Sequence, residues 1–431
     1  MATTIIFDAA RLFWGATARS PRGLDRVDLG YARFFFEHWP GECIATLPTP
    51  WGFRWYERER VIRGLDRLEE LWSETIRSDD DPALRRVKRL LAGELLPAGD
   101  EAARGGGRQA VGGLVSLLSR TGFSFGRSVV RSVPHGGIYL NVGQLSWAMP
   151  WLVSWLRHRA DIRSVFMLHD TIPLDHPEFV SDKGLRGHRA MLDSAARYAA
   201  GLIVPTVAAR EAVLGALRLR GRAEVPVATV PHPVASVFLA AAAPDRELAG
   251  RDYFVVCGAI EPRKNHLLLV DVWQEFFRRR GARTPMLVVA GSPATKGAPI
   301  LEMLEAWAPP RGRIIVVRDL SSPALRCLVA HAKALLMPSF AEGFGLPVIE
   351  ALAVGTPVIA SDLPAHREAG GAFAVYRDPA DGEGWLKAIS AFADGDGDSA
   401  AVRARVRTYR PLTTGEYFGR IERFLRTFER S

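Results

Sequence analysis

PSFAEGFGLPVIEALAVGTP, residues Pro338–Pro357, decides how this chain is read. The run Ala334–Met337 just before it is short and apolar and predicts a buried strand, with Ser339–Gly345 as the loop leaving its carboxyl end. Pro347 suits the first turn of a helix, where its missing N–H would have no partner and its φ is already helical. Gly343 and Gly345, on either side of Phe344, let backbone amides approach an anion, and the helix start adds free N–H groups and a favourable dipole. A phosphate fits that end. Glu350, in the first turns of the helix, has the chemistry to accept hydrogen bonds from a ribose diol. Glu342, in the loop, can do the same for a hexose hydroxyl. The competing reading is that both glutamates only complement the helix dipole.

Taken whole, Glu342-x7-Glu350 with G-F-G-L-P inside it and G-T-P-V-I-A-S-D after it resembles the signature of family 4 retaining glycosyltransferases. The resemblance is dense in the C-terminal half and scattered in the N-terminal half. It implies an α/β chain of GT-B architecture, with two Rossmann-like domains whose parallel sheets face each other across a cleft. It also implies a nucleotide diphosphate sugar as donor substrate, no separate cofactor and no metal. Ser339, Glu342, Gly343, Phe344, Gly345, Leu346 and Glu350 would then surround the donor.

Three other strings extend the resemblance. G-A-I-E-P-R-K-N-H, Gly258–His266, follows a predicted strand, and its Arg263 and Lys264 can neutralise a departing diphosphate. It resembles the family's phosphate loop, in which Lys264 matches the lysine, Ala259 stands at the usual arginine and Arg263 substitutes for it. Two solvated cations near a helix start are the alternative, which the dipole disfavours. S-P-R-G-L-D-R-V, Ser20–Val27, resembles the N-terminal glycine loop that meets the donor phosphate from the opposite side, with Gly23 where many members have two adjacent glycines. A helix capped near Asp25 is the other reading. F-M-L-H-D-T-I-P, Phe166–Pro173, puts His169 and Asp170 at the carboxyl end of a buried strand and resembles the strand-end histidine beside the transferred sugar. A structural His-Asp hydrogen bond or a general base stays open. The resemblance implies front-face transfer without a protein nucleophile, the donor phosphate oxygen taking the acceptor proton. His169, Glu342, Arg263 and Lys264 would be its catalytic residues, in the loose sense of steadying sugar and leaving group.

Two Rossmann-sized units fill 431 residues comfortably. Strand and helix patterns alternate from Tyr253 to Ala393, which specifies a parallel sheet with ligands at its carboxyl edge. The expected organisation is an N-terminal domain over 1–235 with an insertion near 52–135, a linker at 236–250, a C-terminal domain over 251–410, and a final helix, 411–431, returning to the first domain. Hydrophobic residues at 48% and charged at 24% describe a soluble globular chain. No apolar run has the length of a membrane span. MATTIIFDAA has no basic region and carries Asp8 in its apolar stretch, so it reads as a first strand and the expected location is cytoplasmic. Cys43, Cys257 and Cys327 are far apart, as buried thiols would be, and no Cys/His spacing suggests a metal.

The net charge is +9, and Ala102–Ala160 contains no acidic residue while holding Arg104, Arg108, Arg120, Arg127, Arg131, Arg157 and Arg159. With Val111, Leu114, Val115 and Leu118 at helical spacing, this is a candidate element for an anionic membrane surface, such as the inner face of the plasma membrane. A helix packed on the N-terminal domain is the equal alternative. Nucleic acid is not expected as a partner, because no aromatic-basic interleaving accompanies the charge.

The H-D-T-I-P and E-P-R-K-N strings look most like bacterial polysaccharide mannosyltransferases, which favours GDP-mannose as donor and a glycan or lipid-linked acceptor. UDP-glucose competes, since no base-reading residue shows. A nucleotide-sugar epimerase would need clustered acids in the cleft and a phosphorylase a lysine for pyridoxal phosphate. Neither pattern is apparent, and a non-catalytic sugar-nucleotide sensor is a third reading.

Overall fold

Each half of the chain builds its own sheet in the computed structural model, which describes residues 3–15, 21, 23–49, 52–72, 77–94, 126–240, 245–309 and 312–429. The N-terminal sheet consists of β1 (Ile5–Asp8), β2 (Cys43–Thr49), β3 (Gly52–Glu57), β4 (Arg127–Ser128), β5 (Gly137–Asn141), β6 (Ile162–Met167), β7 (Ala199–Val204) and β8 (Val227–Thr229). Its order is β4-β3-β2-β1-β5-β6-β7-β8, parallel except for the β2–β3 and β3–β4 pairs. The C-terminal sheet consists of β9 (Tyr253–Cys257), β10 (Met286–Ala290), β11 (Ile314–Val317), β12 (Leu335–Met337), β13 (Val358–Ser361) and β14 (Ala374–Arg377). Its order is β11-β10-β9-β12-β13-β14, parallel throughout. The strands of β9, β10 and β12 are buried at every residue, as expected of a parallel sheet covered on both faces. These are the two parallel-sheet domains of the GT-B fold.

Two helices cross between the domains. Tyr417, Phe418, Ile421 and Leu425 of the amphipathic helix Thr414–Arg426 are buried in the N-terminal core, where Phe418 stacks on Phe34 at 4.0 Å and the Tyr417 and Tyr31 hydroxyls meet at 2.6 Å. In the other direction, Ala83, Leu84 and Val87 of the helix Pro82–Leu91 enter the C-terminal core. Asp81 caps that helix with one oxygen and accepts from the Ser321 N–H with the other, at 2.9 Å. Lys88 pairs with Asp245 at 2.6 Å. The stretch near 52–135 is therefore not one N-terminal insertion: it supplies β3 and β4 to the first sheet and a docked helix to the second domain. The segment expected as linker, 236–250, also contributes to packed structure, since Phe238 and Leu248 belong to the C-terminal core.

Of the arginines in the acid-free stretch, Arg104, Arg108 and Arg120 lie outside the described residues, as do Val111, Leu114, Val115 and Leu118. Arg159 is structural: it pairs with Asp161 at 2.7 Å and donates to the Val133 and Pro134 carbonyls. Arg127 lies over the Trp55 ring and 3.4 Å from Glu57. Among the described residues, no helix is long and apolar enough to cross a membrane.

Candidate active site

The C-terminal wall of the cleft grows from the ends of β9 and β12. Glu342, in the loop after β12, is its hub. One carboxylate oxygen accepts from Lys264 Nζ at 2.5 Å and Ser339 Oγ at 2.7 Å, and the other from Arg263 Nη1 at 2.9 Å. Arg263 also donates to the Ala341 carbonyl and pairs with Glu261 at 2.8 Å. Lys264 packs beside Gly258, the last turn out of β9. Burial alone would raise the Glu342 carboxyl, but the charges of Lys264 and Arg263 outweigh it and hold the group well below the usual carboxylate range. Burial also pulls the Lys264 ammonium down, with Glu342 opposing the change. The pair is best described as ionised, because the fall at Glu342 needs charged cations beside it. A carboxylate has about four acceptor positions, so Glu342 keeps room for a hydroxyl. The helix Leu346–Ala353 starts at Gly345, which has φ 98° and, being glycine, offers no side-chain cap to the first N–H groups.

The N-terminal wall is built from the ends of β1, β5 and β6. His169 lies two residues beyond the end of β6, not within the strand, and is buried. It makes no bond to Asp170, whose carboxylate instead accepts from the Ile172 N–H at 3.0 Å. The partner of His169 is His232, its Nε2 3.2 Å from His169 Nδ1. Burial, with His232 and Arg11 nearby, pushes His169 well below its ordinary range. Asp8 accepts from the Tyr139 hydroxyl, and burial raises its carboxyl. The turn Asn141–Gln144 is pinned by Gln144 N–H donating to Asn141 Oδ1 at 2.9 Å. Trp147, stacked on Phe166, and Trp155 are core residues, whereas Trp151 is exposed.

The walls touch. A Cβ at Gly343 would come 2.7 Å from the His169 carbonyl, so the approach of the domains requires a glycine there, while a Cβ at Gly23 would come 2.9 Å from the movable end of the Leu346 side chain. Thr206 Oγ1 donates to the Gly343 carbonyl at 3.3 Å, and Glu368 accepts from the Val207 and Ala208 N–H groups at an N-terminal-domain helix start. Phe344 lies edge-on to His232 at 5.3 Å. Arg26 Nη2 reaches Glu350 at 2.7 Å across the cleft. The fold thus gathers Gly23, Gly258, Arg263, Lys264, Ser339, Glu342, Gly343, Phe344, Gly345, Leu346, Glu350 and His169 around one cleft. Arg26 and His232 are additions. A cation in the first turn of a helix, against its dipole, marks Arg26 as unusual but does not name Glu350 as its partner.

Comparison with known proteins bears on the fold and on the family the C-terminal domain resembles. The family described as Glycosyl transferases group 1 matches residues 251–394. The O-antigen chain mannosyltransferase RfbU of Salmonella typhimurium is 33% identical over 141 residues, 32% of this chain and 37% of that protein. The serotype-specific mannosyltransferase WbdA of Escherichia coli is 27% identical over 217 residues, 47% of this chain and 26% of that protein. The matches thus span well under half the length of these relatives. Among solved structures, Anabaena HepE in complex with UDP and glucose aligns at TM-score 0.60 and 16% identity, over 99% of this chain and 100% of that one. Sucrose-phosphate synthase from Thermosynechococcus elongatus aligns at TM-score 0.59 and 15% identity, over the whole of both chains. Residues 251–394 thus match the Glycosyl transferases group 1 family, within a chain of GT-B fold.

Proposed function

We propose that the chain is a retaining, metal-independent hexosyltransferase of polysaccharide synthesis that moves mannose from GDP-mannose to a hydroxyl of a glycan or lipid-linked oligosaccharide. The observation that carries this reading is the Glu342–Arg263–Lys264 cluster beside an uncapped helix start, with Glu350 met by Arg26 of the N-terminal domain and Gly343 set against His169. Mannose is favoured by the printed names of the sequence relatives.

In this reading the bond between the anomeric carbon and the diphosphate oxygen breaks, and the electron pair leaves with the diphosphate. Arg263 and Lys264 stabilise that growing charge. The acceptor hydroxyl bonds to the same face of the sugar and gives its proton to the departing phosphate oxygen. Glu350 holds the ribose, Glu342 a sugar hydroxyl, and His169 positions the sugar. The charge a divalent ion would supply comes from the two cations, so a chelator should leave the rate unchanged.

The deciding experiment is product formation from a panel of GDP-mannose, UDP-glucose and other nucleotide sugars with membrane lipid extract. GDP-mannose should turn over fastest with retained anomeric configuration; turnover only with UDP-glucose would overturn the donor assignment. We also propose that the acid-free stretch attracts the protein to anionic lipid, an effect of about 1 kcal/mol per basic residue that salt weakens. Co-sedimentation with anionic vesicles, lost when Arg120, Arg127 and Arg131 become Glu, tests it.

A further inference from the structure

Pro231-His232-Pro233 joins the last strand of the N-terminal sheet to the C-terminal domain. Proline rings on both sides restrict the backbone there, so the histidine is presented in one direction. His232 is buried at 3% exposure, with Nε2 3.2 Å from His169 Nδ1. Its ring also meets Phe344, the centre of the Gly-Phe-Gly loop, at 5.3 Å and 88°. One connector side chain therefore touches the strand-end histidine of one domain and the donor loop of the other.

We propose that His232 is a positioning residue that sets the tautomer and orientation of His169 and makes that setting depend on docking of the Gly-Phe-Gly loop. The inference rests on the reading that His169 faces the transferred sugar.

The proton arrangement follows from elimination. Burial holds both rings neutral, His232 down to about 4. Each ring then carries one N–H. Among the described residues His232 Nδ1 has no hydrogen-bond partner. A buried N–H without a partner is rarer and costlier than a bare lone pair, so the hydrogen of His232 sits on Nε2. His232 donates and His169 Nδ1 accepts. His169 then carries its hydrogen on Nε2, a donor for a sugar oxygen; the Val142 backbone also acts on this ring, partly opposing the effect of burial on its protonated form. Without His232 the second tautomer, with a bare Nε2, becomes accessible.

The test uses the full chain with ¹⁵N-labelled histidine and the variants His232→Phe and His232→Gln. Phenylalanine fills the space without a donor, whereas glutamine keeps an amide N–H near the place of Nε2. The wild-type imidazole spectrum should show His169 protonated at Nε2 and bare at Nδ1. His232→Phe should mix the tautomers and lower kcat by roughly tenfold to a hundredfold, the scale of one lost positioning hydrogen bond, with affinity for free nucleoside diphosphate unchanged. His232→Gln should restore most of the rate and the single tautomer. Equal losses in both variants with an unchanged His169 tautomer would overturn the proposal, as would wild-type behaviour in both. If His232→Phe does not fold, the tautomer and rate of His232→Gln against the shorter His232→Asn, which should fail to rescue, decide it. If the wild-type protein turns over no nucleotide sugar, the transferase reading falls, while the spectra still accept or reject the proton arrangement.

Discussion

On the C-terminal wall of the cleft, Lys264 and Arg263 hold the Glu342 carboxylate charged, and Glu342 and Glu261 do the same for Arg263 and oppose the effect of burial on Lys264, whereas on the N-terminal wall Asp8, Asp28, His169 and His232 are all pushed by burial toward their neutral forms. The same low-dielectric interior has opposite results because one wall supplies counter-charges within 2.9 Å and the other mostly does not. A charged wall is what a departing diphosphate requires. A neutral wall suits hydroxyl groups and sugar oxygens, which are recognised by hydrogen bonds and repelled by nothing. On the proposed function, the division assigns donor chemistry to one domain and sugar positioning to the other.

The strongest way to break this division is Lys264→Ala. Removing one donor to developing negative charge costs on the order of a hundredfold or more in rate. Here kcat should fall by that factor while the donor KM changes much less. Near-normal turnover would show that the phosphate lies elsewhere. A smaller effect separates the two glutamates. Glu342 is satisfied within its own domain, whereas Glu350 is satisfied by Arg26 of the other. Glu350→Ala should therefore weaken free nucleoside diphosphate by roughly tenfold, the scale of a lost charged hydrogen bond. Glu342→Ala should act mainly on turnover. Calorimetry on both variants, with equal and unchanged affinity and activity, would sink the assignment.

What the sequence makes legible follows the range of the interactions. Pro338–Pro357 can be read because its strand, glycine loop, proline and helix are consecutive, and each is dictated by local chemistry. The parallel strands Tyr253–Cys257, Met286–Ala290 and Ile314–Val317 can be read for the same reason: a run buried on both faces is apolar throughout. Gly52–Glu57 is harder, since Phe53-Arg54-Trp55-Tyr56 leads directly into a helix, and its strand character comes from pairing with Cys43–Thr49. Ala374–Arg377 is short, only partly buried and at the sheet edge, so its pattern is weak. The contacts that cross domains leave no local trace. Nothing near Pro82 announces that its helix belongs to the C-terminal core, and Arg26 and Glu350 are 324 residues apart. His169 and His232 meet only once β6 and the connector are placed.

The smallest expected effect probes the neutral wall itself. Asp28 is fully buried on the helix Gly23–His38, beside Gly143 and Arg11, and among the described residues neither carboxyl oxygen has a hydrogen-bond partner. Burial raises its carboxyl well above the ordinary range, and Arg11 only partly opposes this. The sign of the pH dependence follows. Below about pH 4 the folded and unfolded chains both hold the proton, and the residue adds no pH-dependent term. As pH rises through that value the unfolded chain releases its proton while the folded chain keeps it, so stability falls until the folded carboxyl also ionises. Asp28→Asn keeps the shape and removes the titration. It should raise stability at neutral pH by roughly 1 kcal/mol or more, with the gain vanishing as pH falls toward 4. Asp8→Asn should not show this gain, because its carboxyl accepts from Tyr139 and the Ala10 N–H and losing those acceptors offsets the relief. Denaturant melts of both variants across pH 4 to 8 separate the cases. An Asp28→Asn gain that is constant with pH would mean that Asp28 is ionised in the folded chain, and the wall would then be charged after all.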